Sequence, residues 1–404
     1  MKKIIIVNNG TLPLPAVKGG AVETLIDLLV EENEKFGLCH FDVYSIYDED
    51  ALKKSEQYSK STFHFVKIDG EWVKVKKFLR RMLNALYSRT IGYFHSFPLH
   101  RQIVLDVRKS PYEYSAILLE GSRLDAYYLK KKTGLPIIQR IHNVPPRPLD
   151  KFNRQSASAT DLYLGISQFI CNVLKHEEGK FCKNIELLYN SIPFYKFQKS
   201  MLDSEKSSLR SDLGFDRDDF IIMFSGRLRE FKGVKELLLA IEKCKSYPSI
   251  KLLIVGSHIF SSNEKTPFIN SLESIIQRLG DKVHFTGYVN YDDMYRYYHI
   301  ANICCFPSIW EEPFALTCLE SIANGKPVVI TNSGGMPEIV DKECAAIVPN
   351  DSDIPNHLAK EFIRLSQNRI LVEKMGLAAK KRAELFSPDK QYLRFVELVN
   401  KYTK

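Results

Sequence analysis

Two glutamates at a loop-to-helix junction carry the first chemical signal. Glu312 and Glu320 lie in Pro307–Val340, PSIWEEPFALTCLESIANGKPVVITNSGGMPEIV, which follows the apolar run ICCF. Such a run reads as a buried strand, so the stretch begins at a strand's carboxyl end, where open α/β sheets bind ligands. Glu311-Glu312-Pro313 makes a loop, and a helix is expected to begin near Ala315 or Leu316. The first N–H groups of a helix lack internal partners and carry the positive end of its dipole, which together make an anion site. Glu320 falls about a turn and a half inside that helix, facing its start. One loop carboxylate and one helix carboxylate thus bracket a position the size of a phosphate. After the next strand, PVVI, Ser333-Gly334-Gly335 is expected to open another helix with its N–H groups aimed the same way.

Other chemistries lack their residues. No two glycines are spaced two apart, so GxGxxG is absent, as is GxxxxGK(S/T); this disfavours common NAD enzymes and P-loop NTPases. Neither a GxSxG elbow nor HExxH occurs. Acidic DxD triplets stand at Asp48–Asp50, Asp216–Asp218 and Asp351–Asp353, but in polar loops such triplets are usually chance, and no metal or other cofactor is expected. The eight cysteines form no CxxC pair and mostly sit in apolar stretches, which reads as buried free thiols in a reducing cytoplasm.

The elements that must position these residues follow from length and pattern. A chain of 404 residues exceeds what one core usually serves, so two domains are expected. Short β-branched runs alternate with amphipathic stretches, the pattern of parallel sheets covered on both faces. Strands are expected at 3–8, 41–46, 63–68, 116–119, 136–141, 162–164 and 186–188, and again at 220–224, 251–255, 283–285, 303–306, 327–330 and 345–348. The polar stretch Lys196–Asp219 fits a linker with a short helix. The expected fold is α/β, two Rossmann-like doubly wound domains facing across a cleft. One covers residues 1–195 and the other 196–387. A final helix starts at Pro388, with Ser387 as its cap and Tyr392, Phe395, Val396 and Val399 on one face. No run is long enough to span a membrane, and no secretory signal is read at the amino terminus. The net charge of +9 is uneven: Trp72 to Lys132 holds 13 basic and 4 acidic residues. Within it, Trp72, Val75, Phe78, Leu79, Met82 and Leu86 fall near one helical face flanked by Lys and Arg. That composition suits an interfacial helix or an ordinary solvated one, and it matches no nucleic-acid-binding module.

With these residues in view, the chain resembles the family 4 glycosyltransferases, retaining enzymes of the GT-B architecture. Glu312 and Glu320 match the E-x7-E signature; Gly226-Arg227-Leu228 with Lys232-Gly233 matches the GRLxxxKG block; Gly19-Gly20 matches the amino-terminal glycine loop; His142 matches a histidine at a strand end. Ala315 departs from the usual glycine. The resemblance implies a nucleotide-sugar donor, with a UDP-sugar the expected one, and a saccharide or lipid-linked acceptor in cell-surface polysaccharide or glycoconjugate synthesis. It implies that Arg227 and Lys232 bind the diphosphate and Glu320 the ribose. Glu312 and the backbone of Phe314, Ala315 and Leu316 would lie by the donor's sugar and phosphate, and the base against His284–Val289, which includes Tyr288. His142 would bond a sugar hydroxyl or shape the acceptor pocket; Gly19 and Gly20 would let backbone approach a phosphate. The donor would sit in the carboxyl domain and the acceptor in the amino domain, with the final helix 388–404 crossing back onto the latter. Residues 72–90 would touch an anionic membrane, at the inner face of the plasma membrane. A nucleotide-sugar epimerase and a noncatalytic sugar-nucleotide-binding partner of a transferase remain the alternatives.

Overall fold

The computed structural model of this chain describes residues 1–67, 98–110, 112–121, 125–147, 149, 151–182, 184–256 and 267–403. The basic stretch 72–90 lies outside them. The chain divides into one unit of Met1–Ser191 with Pro388–Lys404 and a second of Ile192–Ser387, a division four residues before the one read from the sequence.

The first unit holds β1 (Lys2–Asn8), β2 (Cys39–Ile46), β3 (Ser61–Val66), β4 (Ala116–Glu120), β5 (Ile137–Ile141), β6 (Leu162–Gly165) and β7 (Ile185–Leu187). They form one parallel sheet in the order β3-β2-β1-β4-β5-β6-β7. Side chains alternate across a strand, and both faces here are apolar: Ile4 and Ile6 enter one core cluster, Ile5 and Val7 the other. The helix Pro388–Tyr402 belongs to this unit and buries Tyr392, Phe395, Val396 and Val399 in the Ile4 cluster. Phe395 meets Phe41 edge to face at 6.2 Å, and Tyr392 stacks on Phe36.

The second unit holds β8 (Phe220–Ser225), β9 (Ile250–Val255), β10 (Val283–Gly287), β11 (Ile303–Phe306), β12 (Val328–Thr331) and β13 (Ala345–Val348). They too are parallel, ordered β10-β9-β8-β11-β12-β13. In each sheet the strand order reverses once, between β1 and β4 in the first and between β8 and β11 in the second. Loops leaving neighbouring strands at such a point diverge to opposite faces and open a crevice at the carboxyl ends. Among the described residues no helix is long and apolar enough to cross a membrane. All eight cysteines are free and buried, and burial pushes up the thiols of Cys39, Cys182, Cys244, Cys305, Cys318 and Cys344, and that of Cys304 to about 12.

Candidate functional site

In the second unit the loops after β8, β11 and β12 are clasped together, and two glycines permit it. Gly233 has φ +73°, and a Cβ there would overlap the backbone carbonyl of Pro307, so only glycine lets the turn Glu230–Lys232 lie against the loop after β11. Gly334, at φ +56°, is pressed likewise on the backbone of Glu312. Ile309 N–H donates to Phe231 O at 3.0 Å, and Gly335 N–H to Glu312 O at 2.7 Å.

This clasp brings Lys232 onto Glu312. Lys232 Nζ forms an ion pair with Glu312 Oε2. The same oxygen accepts from Trp310 Nε1 at 3.1 Å and Ser308 Oγ at 3.3 Å. Glu312 is buried, whereas the Lys232 side chain keeps 22% of its surface and can meet a ligand. Arg227, just past Gly226 at the end of β8, is exposed and makes no ion pair among the described residues. One cation is thus held, and the other has no ion-pair partner among the described residues.

Beside them the helix Leu316–Ala323 starts at Ala315 with no side-chain cap. Ala315 has φ −87°, ordinary for an L-residue, so alanine in place of the family's glycine adds no strain. Glu320, inside this helix, is buried and held by two tyrosines: Tyr298 OH donates to Oε2 at 2.9 Å and Tyr291 OH to Oε1 at 3.2 Å. Ser225 Oγ lies 2.9 Å from the Tyr298 hydroxyl, which links Glu320 to the end of β8. Burial pushes the Glu320 carboxyl up to about 7, with the two tyrosine hydrogen bonds opposing it. Carboxylate oxygens have further lone pairs, so each can still accept from a ligand hydroxyl.

Two expectations need correction or narrowing. Ser333-Gly334-Gly335 opens only a three-residue 3-10 turn, Met336–Glu338, and Gly335 N–H is consumed by Glu312 O; the segment braces the Glu312 loop instead of offering an anion site. In His284–Val289, His284 packs against the Phe215 ring at 4.4 Å and bonds Asp281 O at 2.9 Å, so its side chain serves the fold. Tyr288 follows Gly287 at the carboxyl end of β10 and is 38% exposed. Of the acidic triplets, Asp48 caps the helix Glu49–Ser55 and Asp351 accepts from Asp353 N–H at 2.8 Å. No cluster of three or more His, Cys, Asp or Glu that could hold a metal occurs among the described residues.

The first unit carries a second group of polar residues. Gly19 and Gly20, at φ +77° and +102°, lead into the helix Ala21–Phe36, which starts without a side-chain cap. Glu23 folds back beneath Gly20, buried, and accepts from Asn8 Nδ2 at 3.0 Å; burial raises its carboxyl. His142, one residue past β5, points Nε2 at Glu120 Oε2, 2.5 Å away. Glu120 is fully buried at the end of β4, and its other oxygen lies 3.6 Å from Nη1 of the equally buried Arg140. Arg140 Nη2 donates to Asn190 Oδ1 at 2.8 Å. The register explains the grouping: Asn8 pairs with Glu120, and Glu120 with Arg140, across three adjacent strands.

Sequence reasoning missed Glu120, Arg140, Tyr291, Tyr298, Ser308 and Trp310. A signal existed for the first two, since AILLE and IIQRI each carry one charge in an otherwise buried strand. The tyrosines gave none.

Residues 205–382 match the family model described as glycosyl transferases group 1. The chain is 22% identical over 390 residues to Bacillus subtilis YtcC, which bears a glycosyltransferase's provisional name, with 95% of this chain and 88% of YtcC covered. It is 30% identical over 195 residues to the uncharacterized glycosyltransferase MJ1607 of Methanocaldococcus jannaschii, covering 48% of this chain and 47% of that one. Among solved structures, Anabaena HepE in complex with UDP-glucose aligns with a TM-score of 0.74 at 18% identity, over 99% of this chain and 100% of HepE. The fold is GT-B, with two Rossmann-like domains.

Proposed function

We propose that this chain, which belongs through residues 205–382 to the glycosyl transferases group 1, moves a sugar from a UDP-sugar to a saccharide or lipid-linked acceptor, retaining the anomeric configuration and using no metal. One observation carries the reading: Lys232, Glu312, Arg227, Glu320 and an uncapped helix start converge at the reversal point of the second sheet. That is a set of groups for a diphosphate attached to a ribose. Arg227 and Lys232 supply the charge that a donor diphosphate needs, a fork and a point charge on different oxygens. The N–H groups from Phe314 to Leu316 meet the phosphate next to the sugar, and Glu320 accepts from the ribose hydroxyls.

Glu312 acts through Lys232. Three donors converge on one of its oxygens, so it holds the lysine in place and is a poor nucleophile. The chemistry is then front-face substitution: the bond from the anomeric carbon to the phosphate oxygen breaks as the acceptor oxygen approaches from the same side. The leaving phosphate oxygen takes the acceptor's proton. The protein contributes orientation and stabilisation of the departing charge. That HepE is solved with UDP-glucose supports a uridine nucleotide here. The first unit takes the acceptor, and residues 72–90 meet an anionic membrane where the acceptor is lipid-linked, on the cytoplasmic side.

The test is nucleotide release from a panel of UDP-, GDP-, ADP- and dTDP-sugars with EDTA present, comparing wild type with Glu320→Ala and Lys232→Ala. Slow hydrolysis of one donor, lost in both variants, is the expected result. No binding of any nucleotide by calorimetry would sink the reading, and binding without turnover in the presence of candidate acceptors would turn it toward a noncatalytic partner.

A further inference from the structure

The polar group in the first unit is built unlike a surface site. Glu120 and Arg140 are both fully buried, face each other across β4 and β5, and have few other partners: Arg140 Nη2 reaches Asn190, while Arg140 Nε and Glu120 Oε1 make no hydrogen bond. A buried ion pair of this kind stabilises little by itself, because desolvation of both charges offsets their attraction. What it does accomplish is geometric. Among the described residues Glu120 Oε2 has one hydrogen-bond partner, His142 Nε2, at 2.5 Å. A carboxylate accepts and cannot donate, so the proton on that bond belongs to the imidazole. The bond to Glu120 therefore keeps a hydrogen on Nε2 of the ring. Its other nitrogen, Nδ1, has no hydrogen-bond partner among the described residues and is not sealed from solvent.

We propose that Glu120 is a positioning residue that locks His142 as the Nε2–H tautomer, so that Nδ1 meets the substrate as a hydrogen-bond acceptor. His142 then selects for a hydroxyl that donates at that point and rejects a ligand that offers only an acceptor, such as a deoxy or O-methyl sugar. The substrate contact rests on the transferase reading above, whereas the tautomer does not. The arrangement follows a general pattern in which the partner of one ring nitrogen sets the chemistry of the other.

The experiment has a spectroscopic arm and a kinetic arm. Nitrogen-15 imidazole spectra of the full chain, with His142 assigned by its disappearance in His142→Asn, are expected to show Nε2 protonated and Nδ1 bare at neutral pH. Glu120→Gln keeps the shape but lets the side-chain amide donate, which frees the other tautomer. It is expected to lower kcat by about 10-fold or more while leaving nucleotide affinity within about two-fold. His142→Asn, whose Oδ1 falls where Nδ1 was, is expected to retain more activity than His142→Gln. A wild-type ring protonated on Nδ1, or doubly protonated, would overturn the proposal, as would a Glu120→Gln variant that loses thermal stability with kcat unchanged. A chain that turns over no donor would defeat the transferase reading while the spectrum still decides the tautomer.

Discussion

The two polar clusters stand at equivalent places, the reversal points of two parallel sheets, and are made on opposite plans. In the second unit the charges sit on loops, one of them exposed and one paired yet reachable. In the first they sit within strands and are closed off from water. Loop charges can follow a ligand's phosphates and cost little to hold unliganded. Strand charges cannot move, and their burial costs stability that only a fixed orientation repays. One cluster is suited to bind, the other to aim.

Breaking the buried cluster should therefore damage the fold first. Arg140→Met leaves Glu120 without its countercharge and is expected to cost about 3–5 kcal/mol in urea denaturation, with nucleotide affinity of the folded fraction retained. If that affinity falls as much as stability does, the contrast is wrong. Breaking the clasp in the second unit should show the reverse balance. Gly233→Ala places a methyl into the Pro307 carbonyl at φ +73° and is expected to remove donor turnover by about 100-fold, against a stability loss of about 2–3 kcal/mol.

A milder change sharpens the comparison. Tyr298→Phe removes one of the two hydroxyls on Glu320 and is expected to weaken nucleotide binding about 10-fold at neutral pH, by calorimetric titration. The sign of the pH dependence follows from burial, which holds the unliganded Glu320 carboxyl up near about 7. Binding that needs the carboxylate strengthens as pH rises through that value, and loss of the tyrosine moves the rise to higher pH. Stability runs the other way: a carboxyl raised on folding contributes stability below the ordinary carboxylate range that is lost as pH climbs toward about 7. The smallest effect is expected for Ala315→Gly. At φ −87° the position makes no demand for glycine, so donor kinetics should stay within about two-fold, and stability should rise by no more than about 1 kcal/mol because glycine caps a helix better than alanine.

The strands were legible because each is a short apolar run buried on both faces, and every expected run forms a strand within a residue or two. The Glu312 and Glu320 pair was legible by spacing. What spacing left open was each residue's partner. Glu312 meets a lysine 80 positions earlier in the chain because two glycines let three loops close together, and no local pattern encodes such an approach. Tyr291 and Tyr298 come from a turn and a helix whose only sequence trait is being rich in tyrosine. Glu120 and Arg140 are neighbours through strand register, which depends on the whole sheet. Ser333-Gly334-Gly335 read as a helix start because small residues suit one, but a backbone acceptor, the Glu312 carbonyl, claims the N–H group such a start would present.

The helix Pro388–Tyr402 makes the first unit discontinuous in sequence, since its side chains complete a core begun by Ile4 and Ile6. The second unit, Ile192–Ser387, is continuous. During synthesis, the second unit has all of its strands available before the first has its last helix. The unit made first is thus the one finished last, and until Tyr392 and Phe395 arrive, part of an apolar face of its sheet, beside the helix Ala21–Phe36, waits uncovered. Refolding of the whole chain should show the carboxyl-terminal sheet protected from hydrogen exchange before the amino-terminal one.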